Sequence, residues 1–363
     1  MGSIQELHEL GQSIWYDNIQ RRLLENGELA AMINRGEIRG VTSNPSIFNN
    51  AIGNSNDYAE KIAALSVQGL GREEIYESLA IDDIQAATDL FRPLYDETNG
   101  GDGYVSLEVS PYLAHDTQAT LAEAKRLWKA IDRSNLMIKI PGTVEGLPAI
   151  TQAIAAGLNV NVTLIFSITR YEQIMDAFLA GLEQRVAAGL PIDKIASVAS
   201  FFISRIDTNA DKRLQALAAA DAEALLGQIA VASGKLAYKK YRQNFGDENE
   251  RFATLRAQGA LPQRLLWAST STKNPAYSDI KYVEELIGPN TVNTIPPKTL
   301  DAFRDHGTAQ VAVDTGVEAA YQAFEDLAAL TIDINDITQE LEDAGVKSFA
   351  DAFTALLETV SKA

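Results

Sequence analysis

The sequence predicts an α/β fold, a single (β/α)8 TIM barrel with additional N- and C-terminal helices. Three observations lead there. Eight short strand-like runs recur, amphipathic helical patterns fill most of the intervals between them, and no Gly/Ser/Pro-rich linker, internal repeat or low-complexity tract divides the 363 residues. An open doubly wound sheet is the rival, but the G-x-G-x-x-G turn expected after its first strand is absent. One domain, 1–363, is therefore expected, with 308–363 a helical segment packed outside the barrel.

The runs in order are SIWYDNI (13–19), RGVTSN (39–44), YVSLEVS (104–110), NLMIKIP (135–141), NVNVTLIF (159–166), SVASFFIS (197–204), RLLWAST (264–270) and NTVNTIP (290–296). Helical patterns between them include 116–131, with Asp116 or Thr117 as its N-cap, and 169–189. His115, just before the first of these, reads as a polar loop residue at a helix start. The stretch KLAYKKYRQNF (235–245) is basic and aromatic, and a solvated helix face is expected there. The end of the chain, for example SFADAFTALLETV, is again amphipathic.

Composition narrows the function classes. Hydrophobic residues make up 46%, which fits a globular chain. With no cysteine, disulfides, thiolate metal sites and a cysteine nucleophile are excluded, and three histidines do not suggest a His-rich metal site. A formal charge of −18 argues against a nucleic-acid partner, while leaving room for small phosphorylated ligands in a local cationic pocket. No stretch reaches the roughly 18 apolar residues of a membrane helix. The start MGSIQELHEL lacks a secretory pattern, and Glu6 stands where a myristoylation signal wants Ser or Thr. A cytoplasmic protein, monomer or homodimer, without membrane partner, metal or organic cofactor, is expected.

Strand parity points to a site. Alternate side chains face opposite sides of a strand, and helices cover the outside of a barrel. The aliphatic parity (Val105, Leu107, Leu136, Ile138, Val160, Val162 and Leu164) should face out. The other parity then turns Asp17, Thr42, Asn44, Glu108, Lys139, Asn161 and Thr163 inward, an unusually polar filling. Lys139 is the odd member, a lysine between two isoleucines. It could form a buried ion pair with Glu108. It could instead act as a nucleophile, since an amine held out of water gives up its proton more readily and adds to a carbonyl. An imine so formed is an electron sink for making and breaking a neighbouring C–C bond. That chemistry needs a base and an acid, which Asp17 and Glu108 can supply. Hydroxyl and amide groups nearby can hold a polyhydroxylated chain, so aldol chemistry on a sugar follows.

The motifs resemble those of the transaldolases. GVTSNPSIF (40–48), LMIKIPGT (136–143), NVNVTLIFS (159–167), SFFISRID (200–207) and LLWAST (265–270) occur in family order, and the likeness is to the longer bacterial branch. The resemblance implies a pentose-phosphate-pathway transferase that moves a dihydroxyacetone unit through a lysine Schiff base. The donor would be fructose 6-phosphate or sedoheptulose 7-phosphate, and the acceptor erythrose 4-phosphate or glyceraldehyde 3-phosphate. It implies Lys139 as the Schiff-base lysine, Asp17 as general base, and Glu108 with Thr163 activating water. Asn44, Asn161 and Ser200 would hold the dihydroxyacetone part, Thr42 and Phe202 would shape the pocket, and Arg205 and Ser269 would bind phosphate. The sequence departs from the family at one point. Many relatives carry a second phosphate-binding arginine two residues past the equivalent of Ser269; here Ser271 stands there and Lys273 is the nearest cation, so Ser271 or Lys273 is expected to contribute. An aldolase that releases dihydroxyacetone to water and a non-catalytic sugar-phosphate-binding barrel are the alternatives.

Overall fold

The computed structural model describes residues 3–362. Met1 and Gly2, on which the expectation about N-terminal signals partly rests, lie outside the described residues. Eight parallel strands close into a barrel in chain order: β1 (Gln12–Tyr16), β2 (Gly40–Thr42), β3 (Tyr104–Glu108), β4 (Leu136–Pro141), β5 (Val160–Ile165), β6 (Ser197–Phe202), β7 (Arg264–Ala268) and β8 (Thr291–Ile295). β8 returns to β1 with Gln12 opposite Thr291 and Tyr16 opposite Ile295. Each strand overlaps its sequence run, and the open-sheet alternative is excluded.

The outward aliphatic side chains are buried under the surrounding helices, with Val105, Leu136, Ile138, Val160 and Val162 fully enclosed. Burial of these faces is the main apolar contribution to the fold. The helices start where local chemistry dictates. Asp116 caps the helix Thr117–Ile131 by accepting from the Ala119 N–H at 2.9 Å, which decides between the two expected caps. Ser167 does the same for Ile168–Ala187.

Parity holds until the end of β5, where Leu164 adopts φ +60° and the pairing with β6 slips, so that Ile165 rather than Leu164 aligns with Phe201. This bulge re-aims the chain. Phe166 packs on Phe202 with ring centroids 5.2 Å apart. Leu164 leaves the outward aliphatic row and meets the C-terminal helix, where a Cβ on Gly345 would lie 3.0 Å from it. The expectation that Leu164 continues the row of Val160 and Val162 is corrected by the bulge.

Two helices end the chain, Val317–Ala329 and Ile334–Lys362. The second lies against the elements that follow β2, β3, β5 and β6, along the C-terminal end of the barrel. Thr359 donates to Asn49 (2.7 Å), Thr354 bonds Tyr112 (2.7 Å), Glu342 pairs with Arg170 (3.6 Å) and Glu340 with Arg213 (2.7 Å). The solvated face expected at 235–245 is also corrected. Tyr238, Tyr241 and Phe245 are buried and stack on one another within the helix Ile229–Phe245. Three of its four cations are engaged, Lys235 with Glu285, Lys240 with Glu172 and Lys239 over the ring of Tyr321 on the helix Val317–Ala329, while Arg242 is exposed. Among the described residues no helix is long and apolar enough to cross a membrane.

The N-terminal end of the barrel is closed by one carboxylate. Asp102, in the turn before β3, accepts from the Ser13 hydroxyl, the Trp15 indole N–H (2.9 Å) and Arg39 Nε (2.9 Å), with Arg264 at 3.5 Å. The Trp15 indole itself lies against Gly40, where a Cβ would sit 2.7 Å from the ring. Removing a buried, paired carboxylate strands its partners. Asp102→Ala should therefore lower unfolding free energy by about 3 kcal/mol in urea titrations, and a loss within error of zero would show that the network does not brace the barrel.

Candidate active site

The β3–β4 register sets Glu108 beside Lys139. Lys139 is 5% exposed; its Nζ donates to the Ser43 carbonyl at 3.1 Å and stands 3.6 Å from Glu108 Oε2. Ser43 is itself held, its hydroxyl donating to the Ser106 carbonyl at 2.7 Å. Burial pushes the Glu108 carboxyl up to about 7 and outweighs the opposing attraction of Lys139. A carboxyl placed there can give or take a proton near neutrality.

Asp17 follows directly on β1. Burial raises its pKa, opposed by the Thr42 hydrogen bond and by the charges of Lys139 and Lys273. Thr42 Oγ1 donates to Asp17 Oδ1 at 2.7 Å and lies 2.5 Å from Thr294 Oγ1. A hydroxyl has one proton, so with Thr42 donating to Asp17 it is Thr294 that donates to Thr42.

A second chain crosses the barrel wall. Ser200 Oγ donates to Asn161 Oδ1 (2.7 Å), and Asn161 Nδ2 donates to Ser106 Oγ (3.1 Å). Asn44 caps the helix Pro45–Gly53 through its carbonyl, accepting from Ile47 N–H at 3.0 Å, which leaves its NH2 group to donate elsewhere. Both oxygens of Glu108 and the hydroxyl of Thr163 are buried with no hydrogen-bond partner among the described residues. Buried polar atoms of this kind are met by water or ligand. A cavity of about 320 Å³ adjoins Glu108 and Asn44, with Phe353 of the C-terminal helix in its wall.

The cationic corner lies at the ends of β6 and β7. Arg205, in the first turn of the helix Ser204–Leu217, is half-buried, and its guanidinium sits 5.5 Å from the centroid of the Phe202 ring. Burial without a carboxylate partner lowers its pKa. Ser269 ends β7 at φ +56°, a conformation costly for a residue with a side chain, and its Oγ is 3.2 Å from Ser204 Oγ. Lys273 donates to Ser271 Oγ at 2.7 Å. Its pKa is lowered by partial burial and by the charge of Arg205, so the two cations feel each other.

The profile of the family described as Transaldolase/Fructose-6-phosphate aldolase matches residues 14–360. The chain belongs to that family. A protein of Trichodesmium erythraeum (strain IMS101) named Transaldolase is 48% identical over 98% of this chain and 96% of its own length. Transaldolase 1 of Streptomyces avermitilis is 49% identical over 99% and 95%, and the Transaldolase of Thermobifida fusca (strain YX) 48% identical over 100% and 98%.

Within this transaldolase-family barrel the residues singled out from sequence fall into three contact groups. Asp17, Thr42, Glu108 and Lys139 are coupled by hydrogen bonds and charge. Asn161 and Ser200 are bonded to each other. Phe202, Arg205 and Lys273 share one corner with Ser269 and Ser271. Among the described residues no side-chain hydrogen bond joins Asn44 or Thr163 to these groups: the Asn44 amide oxygen caps its own helix, and the Thr163 hydroxyl has no hydrogen-bond partner. Sequence reasoning missed Ser43, Ser106, Ser204 and Thr294. Ser106 shares the parity of Glu108, whereas Thr294 shares its face with the aliphatic Val292, so alternation alone does not single it out. Ser43 acts through its carbonyl toward Lys139 and leaves no side-chain signal.

The raised Glu108 carboxyl makes a signed prediction. Between its ordinary pKa of 4.5 and about 7, the folded state holds a proton that the unfolded state has released. This group's contribution is therefore fully present below 4.5 and is lost as pH rises through 7, at no more than about 1.4 kcal/mol per pH unit. Glu108→Gln has no such proton. Urea titrations at pH 5 and pH 8 should show the variant gaining on the wild type at the higher pH, and parallel behaviour would contradict the raised pKa.

Proposed function

We propose that the chain is a transaldolase working through a Schiff base on Lys139. The observation that carries this is the enclosed Lys139 amine 3.6 Å from a carboxylate whose oxygens have no hydrogen-bond partner among the described residues. In this reading Lys139 adds to the ketone of a ketose phosphate, fructose 6-phosphate or sedoheptulose 7-phosphate. Glu108, with Thr163, moves protons to and from the water expelled as the carbinolamine becomes an imine. Asp17 takes the C4 hydroxyl proton, the C3–C4 bond breaks, and its electrons pass into the imine to give an enamine. The aldose phosphate leaves. An acceptor, erythrose 4-phosphate or glyceraldehyde 3-phosphate, then reverses these steps, and water frees Lys139.

Asn44, Asn161 and Ser200 would bind the dihydroxyacetone part, with Thr42 fixing Asp17. The guanidinium of Arg205, which has no carboxylate partner among the described residues, would take the phosphate with Ser269, Ser271 and Lys273; a fork of N–H donors and a point charge suit its oxygens. The full-length relatives named Transaldolase favour transfer over release. The family description also includes an aldolase, so release of dihydroxyacetone is the second reading.

Borohydride with fructose 6-phosphate should label Lys139, and Lys139→Ala should lose both label and turnover, by more than about a thousandfold, while keeping its circular dichroism. Donor cleavage should depend on erythrose 4-phosphate. Labelling elsewhere would sink the Schiff-base assignment, and cleavage at the same rate without acceptor would favour the aldolase.

A further inference from the structure

The cationic corner has a backing that the reaction itself does not use. Asp207 and Asp211 lie one turn apart on the helix that carries Arg205, both nearly inaccessible to solvent. Neither has a lysine or arginine within ion-pair distance among the described residues; hydrogen bonds alone hold them. Asp207 accepts from the Ala230 N–H (2.7 Å) and the Tyr282 hydroxyl (2.8 Å). Asp211 accepts from the Gly227 N–H (2.8 Å) and the Tyr277 hydroxyl (2.7 Å). The same arrangement is thus made twice: one oxygen to the backbone leading into the helix Ile229–Phe245, the other to a tyrosine from the β7–β8 connection.

That connection is the segment bearing Ser271 and Lys273. Residues 269–280 contain no regular secondary structure, so bonds to neighbouring elements must set where the segment lies. Tyr277 is seated closely. Gly227 has φ +72° and lets the Tyr277 ring rest on its backbone, since a Cβ there would be 2.7 Å from the ring. A cavity of about 210 Å³ is lined by Lys273 together with both aspartates and both tyrosines, so the clamp and the cation share a wall. Among the described residues Lys273 has only the Ser271 hydroxyl as a direct hydrogen-bonding partner. A flexible lysine stem does not orient itself as an arginine fork does.

We infer that the Asp207–Tyr282 and Asp211–Tyr277 pairs are positioning elements for phosphate, holding the segment of Ser271 and Lys273 opposite Arg205 so that both cations reach one anion. The inference rests on the phosphate-corner part of the proposed function and is independent of the imine chemistry. Losing one tyrosine hydroxyl should loosen the segment and weaken anion binding about fivefold, the size expected for one hydrogen bond.

Two measurements on the full chain separate the readings. Calorimetric titration with inorganic phosphate should give a Kd about fivefold higher for Tyr277→Phe than for the wild type. Borohydride trapping should show the half-saturating concentration of fructose 6-phosphate rising by a like factor, while that of dihydroxyacetone, which has no phosphate, stays put. Tyr282→Phe tests the other pair and serves if Tyr277→Phe does not fold. No phosphate binding by the wild type, an unchanged Kd in both variants, or an equal shift for the two donors would overturn the inference. If phosphate binding weakens as expected while Lys139 is never labelled, the Schiff-base reading fails and the positioning role stands.

Discussion

Placing Lys139 against Glu108 inside a closed barrel is the constraint around which the other polar groups are arranged. Taking two ionisable groups out of water is costly, and contact between them offsets that only with further hydrogen bonds. Here the offset is incomplete. Lys139 has one backbone carbonyl, that of Ser43, and a carboxylate at 3.6 Å, while neither Glu108 oxygen has a hydrogen bond from the described residues. A pair built for stability would have its remaining lone pairs filled. This one leaves acceptors open where a substrate or water can use them, and burial holds the carboxyl near 7, where it can work in both directions.

The opposite end of the barrel shows what full satisfaction looks like. Asp102 is as buried as Lys139, yet it accepts from Ser13, Trp15 and Arg39 with Arg264 close by. The contrast follows the division of labour in this fold, with bracing at the N-terminal end and chemistry at the C-terminal end. Non-glycine residues at positive φ occur at both ends of the barrel, with Asn99, Asp132 and Asn290 ahead of β3, β4 and β8. Leu164 and Ser269, both non-glycine residues at positive φ, lie at the C-terminal ends of β5 and β7. One turns Phe166 onto Phe202 and frees Leu164 to meet the C-terminal helix, and the other places a serine hydroxyl beside Ser204. Backbone strain at such positions persists when the surrounding structure determines it.

Much of this was legible from the residue order because a parallel barrel converts parity into direction. Lys139, Glu108 and Asn161 needed only the alternation in three consecutive strands, and the register did the rest. Parity misled at Leu164, since a bulge adds a residue that alternation does not count. It was silent about Ser43, whose carbonyl rather than hydroxyl meets the amine. The aromatic face at 235–245 was misread for a different reason. Its charge pattern suits water, but Lys239 lies over Tyr321 of the helix Val317–Ala329 and Phe245 packs on Phe178 of Ile168–Ala187, contacts between segments far apart in the chain that no local window contains. Asp207 and Asp211 were passed over likewise, because their partners Tyr277 and Tyr282 lie some 70 residues on.

The placement of Lys273 depends on the same kind of long-range contact. Where many relatives are expected to place a rigid planar cation, this chain has a serine followed by a flexible one. An arginine at such a site is oriented by its own fork and by the oxygens it grips. A lysine delivers only a point charge, so its position depends on the backbone beneath it. In this chain that backbone is irregular and is fixed from behind by two tyrosine hydroxyls on two buried carboxylates. Orientation that an arginine would carry in its side chain is thereby moved into the scaffold. The cost is two buried acidic groups, with no ion-pair partner among the described residues, behind the corner that carries Arg205 and Lys273. Burial pushes Asp207 up to about 6, so at neutral pH it remains ionised, and its charge is met by the Ala230 N–H, the Tyr282 hydroxyl and the more distant charge of Lys281.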